Sequence, residues 1–130
     1  MSEVFVLDAS ALLCLLKGES GAERVMAALP RAWVSAVNLS EVYAKLADAG
    51  GSEDRIARAV GGLHLRVEPF DDAQARRAGM LRPVTKGLGL SLGDRACLAL
   101  AQHRGALALT TDRAWADLPE ALGIAVEVIR

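Results

Sequence analysis

The sequence is 130 residues long, and its 15 Lys and Arg residues against 16 Asp and Glu give a formal net charge of −1. With 52% hydrophobic and 24% charged residues, the composition excludes a disordered, collagen-like or highly charged chain. The length predicts a single domain spanning residues 1–130. Near-zero charge excludes a global basic field, so any binding of nucleic acid or of an anionic membrane must be local.

Helices and strands alternate along the whole chain. Short runs rich in Val, Ile, Leu and Ala predict buried strands, and capping residues, Gly and Pro mark the ends of the helices between them. Residues 84–91 are predicted to form a glycine-containing loop, and a short helical turn is expected between the last two strands. The predicted elements are strand 4–7, helix 9–17, helix 20–29, strand 32–35, helix 36–49, helix 52–61, strand 63–67, helix 71–82, helix 92–104, strand 106–110 and strand 125–129.

Two helix ends carry specific signals. Ser20 and Glu23 have the spacing of a capping box, which predicts that the second helix begins at Ser20. Pro83 is expected to end the helix that begins at Asp71 or Asp72.

The order of these elements predicts the fold class. No hairpin signal such as Asn-Gly joins two strands, so each connection is expected to cross over through a helix. The chain is therefore predicted to be an α/β protein with a mainly parallel central sheet and helices on both faces.

The cysteines and the hydropathy of the sequence indicate the cellular compartment of the protein. Cys14 and Cys97 lie far apart in apolar runs without CxxC spacing, which favours reduced core cysteines over a disulfide or a zinc site. No signal-peptide pattern precedes the first strand, and no apolar stretch approaches the roughly 20 residues of a membrane span. We expect a cytoplasmic protein that does not cross a membrane.

Asp8 and Asp112 each follow a strongly apolar predicted strand, with small hydroxyl residues beside them. In parallel α/β sheets, ligands bind outside the carboxyl ends of the strands, so both carboxylates are candidates for a functional site. The alternative is that each Asp only caps the helix that follows, a role worth about 1 kcal/mol.

Asp94 lies on a helix that is apolar almost all round, on the same face as Cys97 and Leu98. A carboxylate there is costly unless it is paired, hydrogen-bonded or neutralised by a cation. Ser91 and Asp94 also have capping-box spacing, and the capping role and a functional role are compatible.

Glu41 gives a different signal from the other acids. A helical wheel places it on the polar side of helix 36–49 with Asn38, Lys45 and Asp48. Because Lys45 follows Glu41 by four residues, the wheel alone predicts a solvated ion pair.

Several carboxylates at one edge of a sheet would repel one another, and a divalent cation would compensate that repulsion. The candidate ligands are all oxygens, which favours Mg²⁺ or Mn²⁺ over zinc. Such a centre suits the hydrolysis of phosphate esters, because the ions activate water and stabilise the leaving oxygen.

Four segments of the sequence resemble PIN-domain ribonucleases, and in particular VapC-type toxins. The segments occur in order along essentially the whole chain, although each one alone is unspecific. They are Val-Leu-Asp8-Ala-Ser10-Ala-Leu, Val34-Ser-Ala-Val-Asn38-Leu-Ser40-Glu41-Val, Leu90-Ser-Leu-Gly-Asp94-Arg95-Ala-Cys-Leu-Ala-Leu-Ala and Leu109-Thr-Thr-Asp112-Arg-Ala-Trp.

The resemblance implies a PIN-like three-layer fold and a Mg²⁺- or Mn²⁺-dependent endoribonuclease. It implies that four residues form the acidic cluster that binds the metal and carries catalysis, which for Glu41 replaces the prediction from the wheel: Asp8, Glu41, Asp94 and Asp112. The polar residues Ser10, Thr111 and Asn38 are expected to orient carboxylates and water from behind. Asp117 is an open candidate for the cluster, with a surface position as its alternative.

The resemblance also implies partners. These are an RNA substrate, a VapB-like antitoxin whose C-terminal segment covers the active site, and a second copy of the chain in a homodimer. Arg95 and Arg113 stand next to acids of the cluster and are candidates for contacts to RNA phosphates, with solvated surface roles as the alternative.

The main competing hypothesis is a catalytically silent PIN-like module that binds RNA or an antitoxin. Two other classes fit less well. A phospho-receiver would need a second acid beside Asp8 and a phosphoacceptor Asp where the chain has Glu68-Pro69, and a dehalogenase-type phosphatase would need Asp in place of Ser10.

Overall fold

Five parallel strands form the centre of the molecule in a computed structural model that describes residues 3–130. Their order across the sheet is β3-β2-β1-β4-β5, and every neighbouring pair is parallel. The predicted α/β class and the parallel sheet are confirmed. The strands are β1 (Phe5–Leu7), β2 (Ala32–Ser35), β3 (Arg66–Glu68), β4 (Leu107–Thr110) and β5 (Ala125–Val128).

Helices connect the strands and cover both faces of the sheet. Short 3-10 turns supplement them at four ranges of the described chain, which are Leu29–Arg31, Lys86–Leu88, Arg113–Asp117 and Glu120–Leu122. The α-helices are α1 (Ala9–Lys17), α2 (Ala22–Ala28), α3 (Ala36–Asp48), α4 (Glu53–Gly61), α5 (Asp72–Met80), α6 (Arg82–Thr85) and α7 (Leu92–Arg104).

Alternating side chains of the central strands divide the core into two layers. On β1, Val6 packs with α5 and α7 on one face, whereas Phe5 and Leu7 pack with α1, α2 and α3 on the other. Ala108 and Leu109 of β4 separate in the same way. Because successive side chains of a strand point to opposite faces, these apolar runs require cover on both sides, and the result is the expected three-layer arrangement.

The strand order decides where a site can form. β1 pairs with β2 on one side and with β4 on the other, so the chain direction across the sheet reverses at β1. A crevice opens outside the carboxyl ends of strands at such a switch point. The segments that follow β1, β2 and β4 therefore meet at one edge of the sheet.

The prediction of a capping box at Ser20 is wrong. Helix α2 begins at Ala22, its N-cap is Gly21 with φ 102°, and no side chain caps it. A Cβ at Gly21 would lie 2.9 Å from the carbonyl oxygen of Ile129, so the close approach of the last strand together with the left-handed backbone requires glycine here. The local pattern of Ser20 and Glu23 does not reveal this contact, because Ile129 is distant in the sequence.

The predicted loop 84–91 is partly helical. Pro83 lies in the first turn of α6 (Arg82–Thr85), and the 3-10 turn Lys86–Leu88 follows directly. Proline is compatible with the first turn of a helix, because its missing N–H would have no partner there in any case. Pro83 therefore starts a short helix as well as ending the preceding one.

The predicted strand 63–67 begins later, at Arg66, because Leu63 and His64 form a turn with φ 52° at His64. Other boundaries agree within one or two residues, and α1 and α7 end at the glycines expected to stop them. Cys14 and Cys97 are free and buried, as predicted. Within residues 3–130 no helix is long and apolar enough to cross a membrane.

Leu98→Ala is expected to lower the free energy of unfolding by about 2–5 kcal/mol, because Leu98 is fully buried against the sheet and its loss leaves a cavity. Leu92→Ala, on the same helix but 50% exposed, is the matched control and should change stability by less than about 0.5 kcal/mol. Urea unfolding followed by circular dichroism measures both. Equal destabilisation by the two variants would contradict the placement of the α7 core face.

Candidate active site

A cavity of about 240 Å³ opens at the carboxyl edge of the sheet. It is lined from the segments that follow β1, β2 and β4 and from the first turn of α7. The polar lining residues are Asp8, Ser10, Asn38, Glu41, Lys45, Asp94 and Asp112, with Ala9 and Leu13 between them. The structure thus brings together all four predicted acids.

Asp8 lies at the bottom of this cavity and is only 4% exposed. Its Oδ1 accepts hydrogen bonds from Ser10 Oγ at 2.7 Å and from the Ala11 N–H at 2.8 Å, and its Oδ2 accepts one from Thr110 Oγ1 at 2.5 Å. Burial raises the pKa of Asp8 to about 6, the charge of Asp94 adds to that rise, and the three hydrogen bonds oppose it. Asp8 caps α1, as the alternative reading expected, and also faces the cavity.

Hydroxyl groups of Ser10 and Thr110 connect β1 to β4 beneath the acids. Besides its bond to Asp8, Ser10 Oγ accepts the Thr111 N–H at 2.9 Å, and Thr110 Oγ1 accepts the Asp112 N–H at 3.0 Å. Thr111, proposed from the sequence to orient carboxylates, contributes here through its backbone. The second hydroxyl on Asp8, besides that of Ser10, belongs to the fully buried Thr110, which sequence reasoning did not select as a site residue. Its position as the last residue of a buried strand was the available signal.

Asp94 is held by the predicted capping box. Its Oδ2 accepts the Ser91 N–H at 2.9 Å, while Ser91 Oγ accepts the Asp94 N–H at 3.2 Å. This reciprocal pair fixes the carboxylate at the N-terminus of α7, where the helix dipole favours negative charge. The capping role and the position in the cavity therefore coexist.

Glu41 and Asn38 contradict the solvated face predicted by the helical wheel. Asn38 is 1% exposed, and its Nδ2 donates to Glu41 Oε1 and to the carbonyl oxygen of Gly93, both at 3.0 Å. A Cβ at Gly93 would overlap the Glu41 carboxylate. The polar side of α3 packs against the first turn of α7, which a wheel drawn for one helix does not include. Among residues 3–130, Glu41 forms no ion pair with Lys45.

Asp112 follows β4 and caps the 3-10 turn Arg113–Asp117 by accepting the Ala114 N–H at 3.0 Å. Asp117 ends that turn, is exposed, and does not line the cavity. Arg113 is exposed beside Asp112. Arg95 points to α5, where its Nη1 donates to the carbonyl oxygen of Ala78 at 3.1 Å, so it serves helix packing here.

The thiol of Cys97 lies under the acids, one turn after Asp94. Burial raises its pKa well above the usual value, and the charges of Asp8, Asp94 and Glu41 add to that effect. Cys97 is therefore a neutral thiol in the floor of the site. Three of the four carboxylates lie close enough to raise its pKa.

The chemistry of the donor set suits a hard divalent cation. One oxygen each of Glu41, Asp94 and Asp112 accepts no hydrogen bond from residues 3–130, so these oxygens are free to bind an ion. The buried Oδ1 of Asn38 also has no donor within that range. Yet no three acidic, His or Cys side chains of the described chain converge as a metal site. Each of the four acids uses at least one oxygen for its own local hydrogen bonds, and the remaining oxygens of Glu41, Asp94 and Asp112 are the ones that would bind an ion.

This fold and cavity place the chain in a known family. A model of the PIN domain matches residues 5–121, and the chain belongs to the PIN-domain family. Among curated proteins, none matches the chain significantly.

Solved structures of toxin-antitoxin complexes have the same fold. DNA-bound VapBC from Salmonella typhimurium has a TM-score of 0.70 at 23% identity, with 97% of this chain and 98% of that chain covered. A toxin-antitoxin complex from Klebsiella pneumoniae has a TM-score of 0.73 at 21% identity, covering 99% and 98%. VapBC-5 from Mycobacterium tuberculosis has a TM-score of 0.62 at 26% identity, covering 99% of both chains.

Gly93→Ala is expected to displace the Glu41 carboxylate and to weaken metal binding by about 10–100-fold. The protein should stay folded, since Ala favours a helix over Gly by about 1 kcal/mol and the end of the Glu41 side chain can turn away. The measurement is the rise in melting temperature with Mn²⁺. Gly87→Ala, where a Cβ meets nothing within 4 Å, is the control and should keep the rise. A full rise in Gly93→Ala would contradict the tight packing of Glu41 on Gly93.

Asp8→Asn is expected to stabilise the metal-free protein at neutral and higher pH. Because the folded pKa of about 6 exceeds the ordinary 3.8, the native state holds this proton more tightly than the unfolded state does. Stability therefore falls as the pH rises from about 4 through 6, and the cost above that range is about 3 kcal/mol. The gain from Asp8→Asn should thus appear at pH 8 and vanish near pH 4.

Urea unfolding in EDTA at a series of pH values measures this effect. The exposed Asp117→Asn is the control, and its stability should stay within about 0.5 kcal/mol of wild type throughout. An Asp8→Asn protein that is less stable than wild type at pH 8 would show that the Thr110 and Ser10 hydrogen bonds outweigh the burial of the charge.

Proposed function

We propose that this chain is a Mg²⁺- or Mn²⁺-dependent endoribonuclease that acts as the VapC-type toxin of a toxin-antitoxin pair. The observation that carries the proposal is the single cavity at the carboxyl edge of the sheet, lined by four carboxylates. Membership of the PIN-domain family and the VapBC neighbours support it. In this proposal residues 1–130 act as one catalytic domain in the cytoplasm.

The residues that would hold the metal are Asp8, Glu41, Asp94 and Asp112. When bound, Mg²⁺ or Mn²⁺ supplies positive charge that lowers the pKa of an attacking water and stabilises the phosphate oxygens. The protein's own contribution is to orient the acids. Ser10 and Thr110 fix Asp8, the capping box fixes Asp94, and Asn38 fixes one oxygen of Glu41 while the other stays free.

The buried position of Asp8 gives it a distinct part in the reaction. With hydrogen bonds on both oxygens and little exposure, its carboxylate cannot move far from the floor of the cavity. Asp112 is exposed at the mouth and held through one oxygen only. We therefore assign Asp8 to anchoring the cation and Asp112 to the side where RNA enters.

The test is cleavage of a structured RNA pool by the purified, antitoxin-free protein with Mg²⁺ or Mn²⁺. Wild type should cleave, EDTA should abolish cleavage, and Asp94→Asn should lower the rate by roughly 100-fold or more, since a lost ligand exceeds the effect of a lost supporting residue. Asp117→Asn is the matched acidic control and should cleave as wild type does.

Two outcomes would change the conclusion. Cleavage that survives in Asp94→Asn or in EDTA would overturn the metal-dependent site. A folded protein that shows a Mn²⁺-dependent rise in melting temperature without any cleavage would favour the catalytically silent module that binds RNA or an antitoxin.

We further propose that the partners are a VapB-like antitoxin, the RNA substrate and a second copy of the chain. The VapBC complexes among the structural neighbours support the antitoxin. Light scattering on the chain alone and after coexpression with a candidate VapB-like antitoxin would give the mass of each assembly. A monomer alone, or no complex after coexpression, would contradict the respective partner.

A further inference from the structure

Charge is distributed unevenly between the site and the segment that leads to it. Residues 73–93 contain four basic residues, which are Arg76, Arg77, Arg82 and Lys86, and no Asp or Glu. The remaining basic residues share the rest of the chain with all 16 acidic residues. A local basic surface therefore exists in a protein whose formal net charge is −1.

The packing of α5 on α7 places this segment at the cavity end of the molecule. The hydrogen bond from Arg95 to Ala78 holds the end of α5 beside the first turn of α7, which contains Asp94. Helix α6 and the 3-10 turn Lys86–Leu88 follow at that end. The latter turn contacts the 3-10 turn Arg113–Asp117, which directly follows Asp112.

Three basic residues along this path are exposed and free of internal partners. Within residues 3–130, no carboxylate lies within 4 Å of the charged groups of Arg82, Lys86 or Arg113. Elsewhere on the surface, several arginines are neutralised, as in the pairs Arg24–Glu127, Arg104–Glu68 and Arg130–Glu19. We call Arg82, Lys86 and Arg113 the basic rim.

The two sides of the cavity differ in charge because of the strand order. β2 and β4 flank β1, so α3 lies on one side of Asp8 and the segment after Asp112 lies on the other. The α3 side carries Lys45 together with Asp48. The basic rim carries three positive charges, none of them paired with a carboxylate within 4 Å in residues 3–130, so the Asp112 side attracts a polyanion more strongly than the α3 side does.

We infer that the basic rim binds the phosphates of single-stranded RNA and guides the strand past Asp112 into the acidic cavity. Phosphate contacts of Lys and Arg supply sequence-independent affinity, which a cavity of repelling carboxylates cannot supply by itself. A second copy of this chain suits the rim less well, because a two-fold interface would bring identical positive charges together. The inference rests on the proposed nuclease function for its RNA ligand.

The test uses a triple variant, Arg82→Gln with Lys86→Gln and Arg113→Gln. Its binding to a labelled oligouridylate is measured in the Asp94→Asn background over a range of salt concentrations. The dissociation constant should rise by about tenfold or more. The slope of log K against log salt should fall by about 2, at about 0.7 for each phosphate contact of a single strand. In the cleavage-competent protein, KM should rise while kcat stays unchanged.

The matched control is Lys17→Gln with Arg31→Gln. Both side chains are exposed. Arg31 directly precedes β2, so it lies at the amino ends of the strands, away from the cavity at their carboxyl ends. The dissociation constant, the salt slope and KM of this control should equal those of the protein without these two substitutions. Melting temperatures of all variants show whether each protein is folded, and the three exposed, unpaired side chains of the rim give no reason for unfolding.

The outcomes separate this inference from the proposed function. RNA cleavage by wild type, together with an unchanged dissociation constant and salt slope in the triple variant, would contradict RNA binding by the basic rim and leave the nuclease function standing. RNA binding that depends on the basic rim, without any cleavage by wild type, would contradict the nuclease function and support RNA binding by the rim. Exposed Met80 and Val84 nearby offer apolar contact, so a triple variant that loses only its antitoxin or its dimer would show a protein interface instead and overturn the inference.

Discussion

The buried carboxylate of Asp8 is the constraint on which the site is built. It ends β1, caps α1 and accepts a hydrogen bond from Thr110 at the end of β4, so one side chain joins three elements. Burial opposes its negative charge and raises its pKa to about 6. That cost is retained in the fold although an apolar residue could fill the same volume, which is the pattern expected where function opposes stability.

The second constraint is the close contact of α3 with the first turn of α7. Gly93 leaves room for the Glu41 carboxylate. Asn38 bridges the two helices by donating to the Gly93 carbonyl oxygen, and it also donates to Glu41 on its own helix. The capping box formed by Ser91 and Asp94 fixes the same first turn of α7. Each acid is thus held by its own local hydrogen bonds. Within residues 3–130 these bonds keep the like charges apart, and no three acidic, His or Cys side chains converge there as a metal site.

Charge is distributed unevenly between the cavity and the surface beside it. The acids of the cavity repel a polyanion, whereas Arg82 and Lys86 lie on a segment, residues 73–93, that contains no Asp or Glu, and Arg113 follows Asp112 at the mouth. Net charge conceals this division, because the acidic and basic surfaces nearly cancel over the whole chain. A local basic surface of this kind is compatible with a formal net charge of −1.

The sequence alone determined the α/β class and the parallel sheet, because buried strands and helix caps are local patterns. Its resemblance to one family singled out four acids, which line one cavity in the structure. The tertiary structure decided what depends on contacts between distant segments. Such contacts bury Asn38, hold Glu41 against Gly93, add the Thr110 hydroxyl to that of Ser10 on Asp8, turn Arg95 toward α5 and require glycine at positions 21 and 93. A helical wheel or a capping pattern considers one element at a time, and the environment of these residues is set by the elements packed against them.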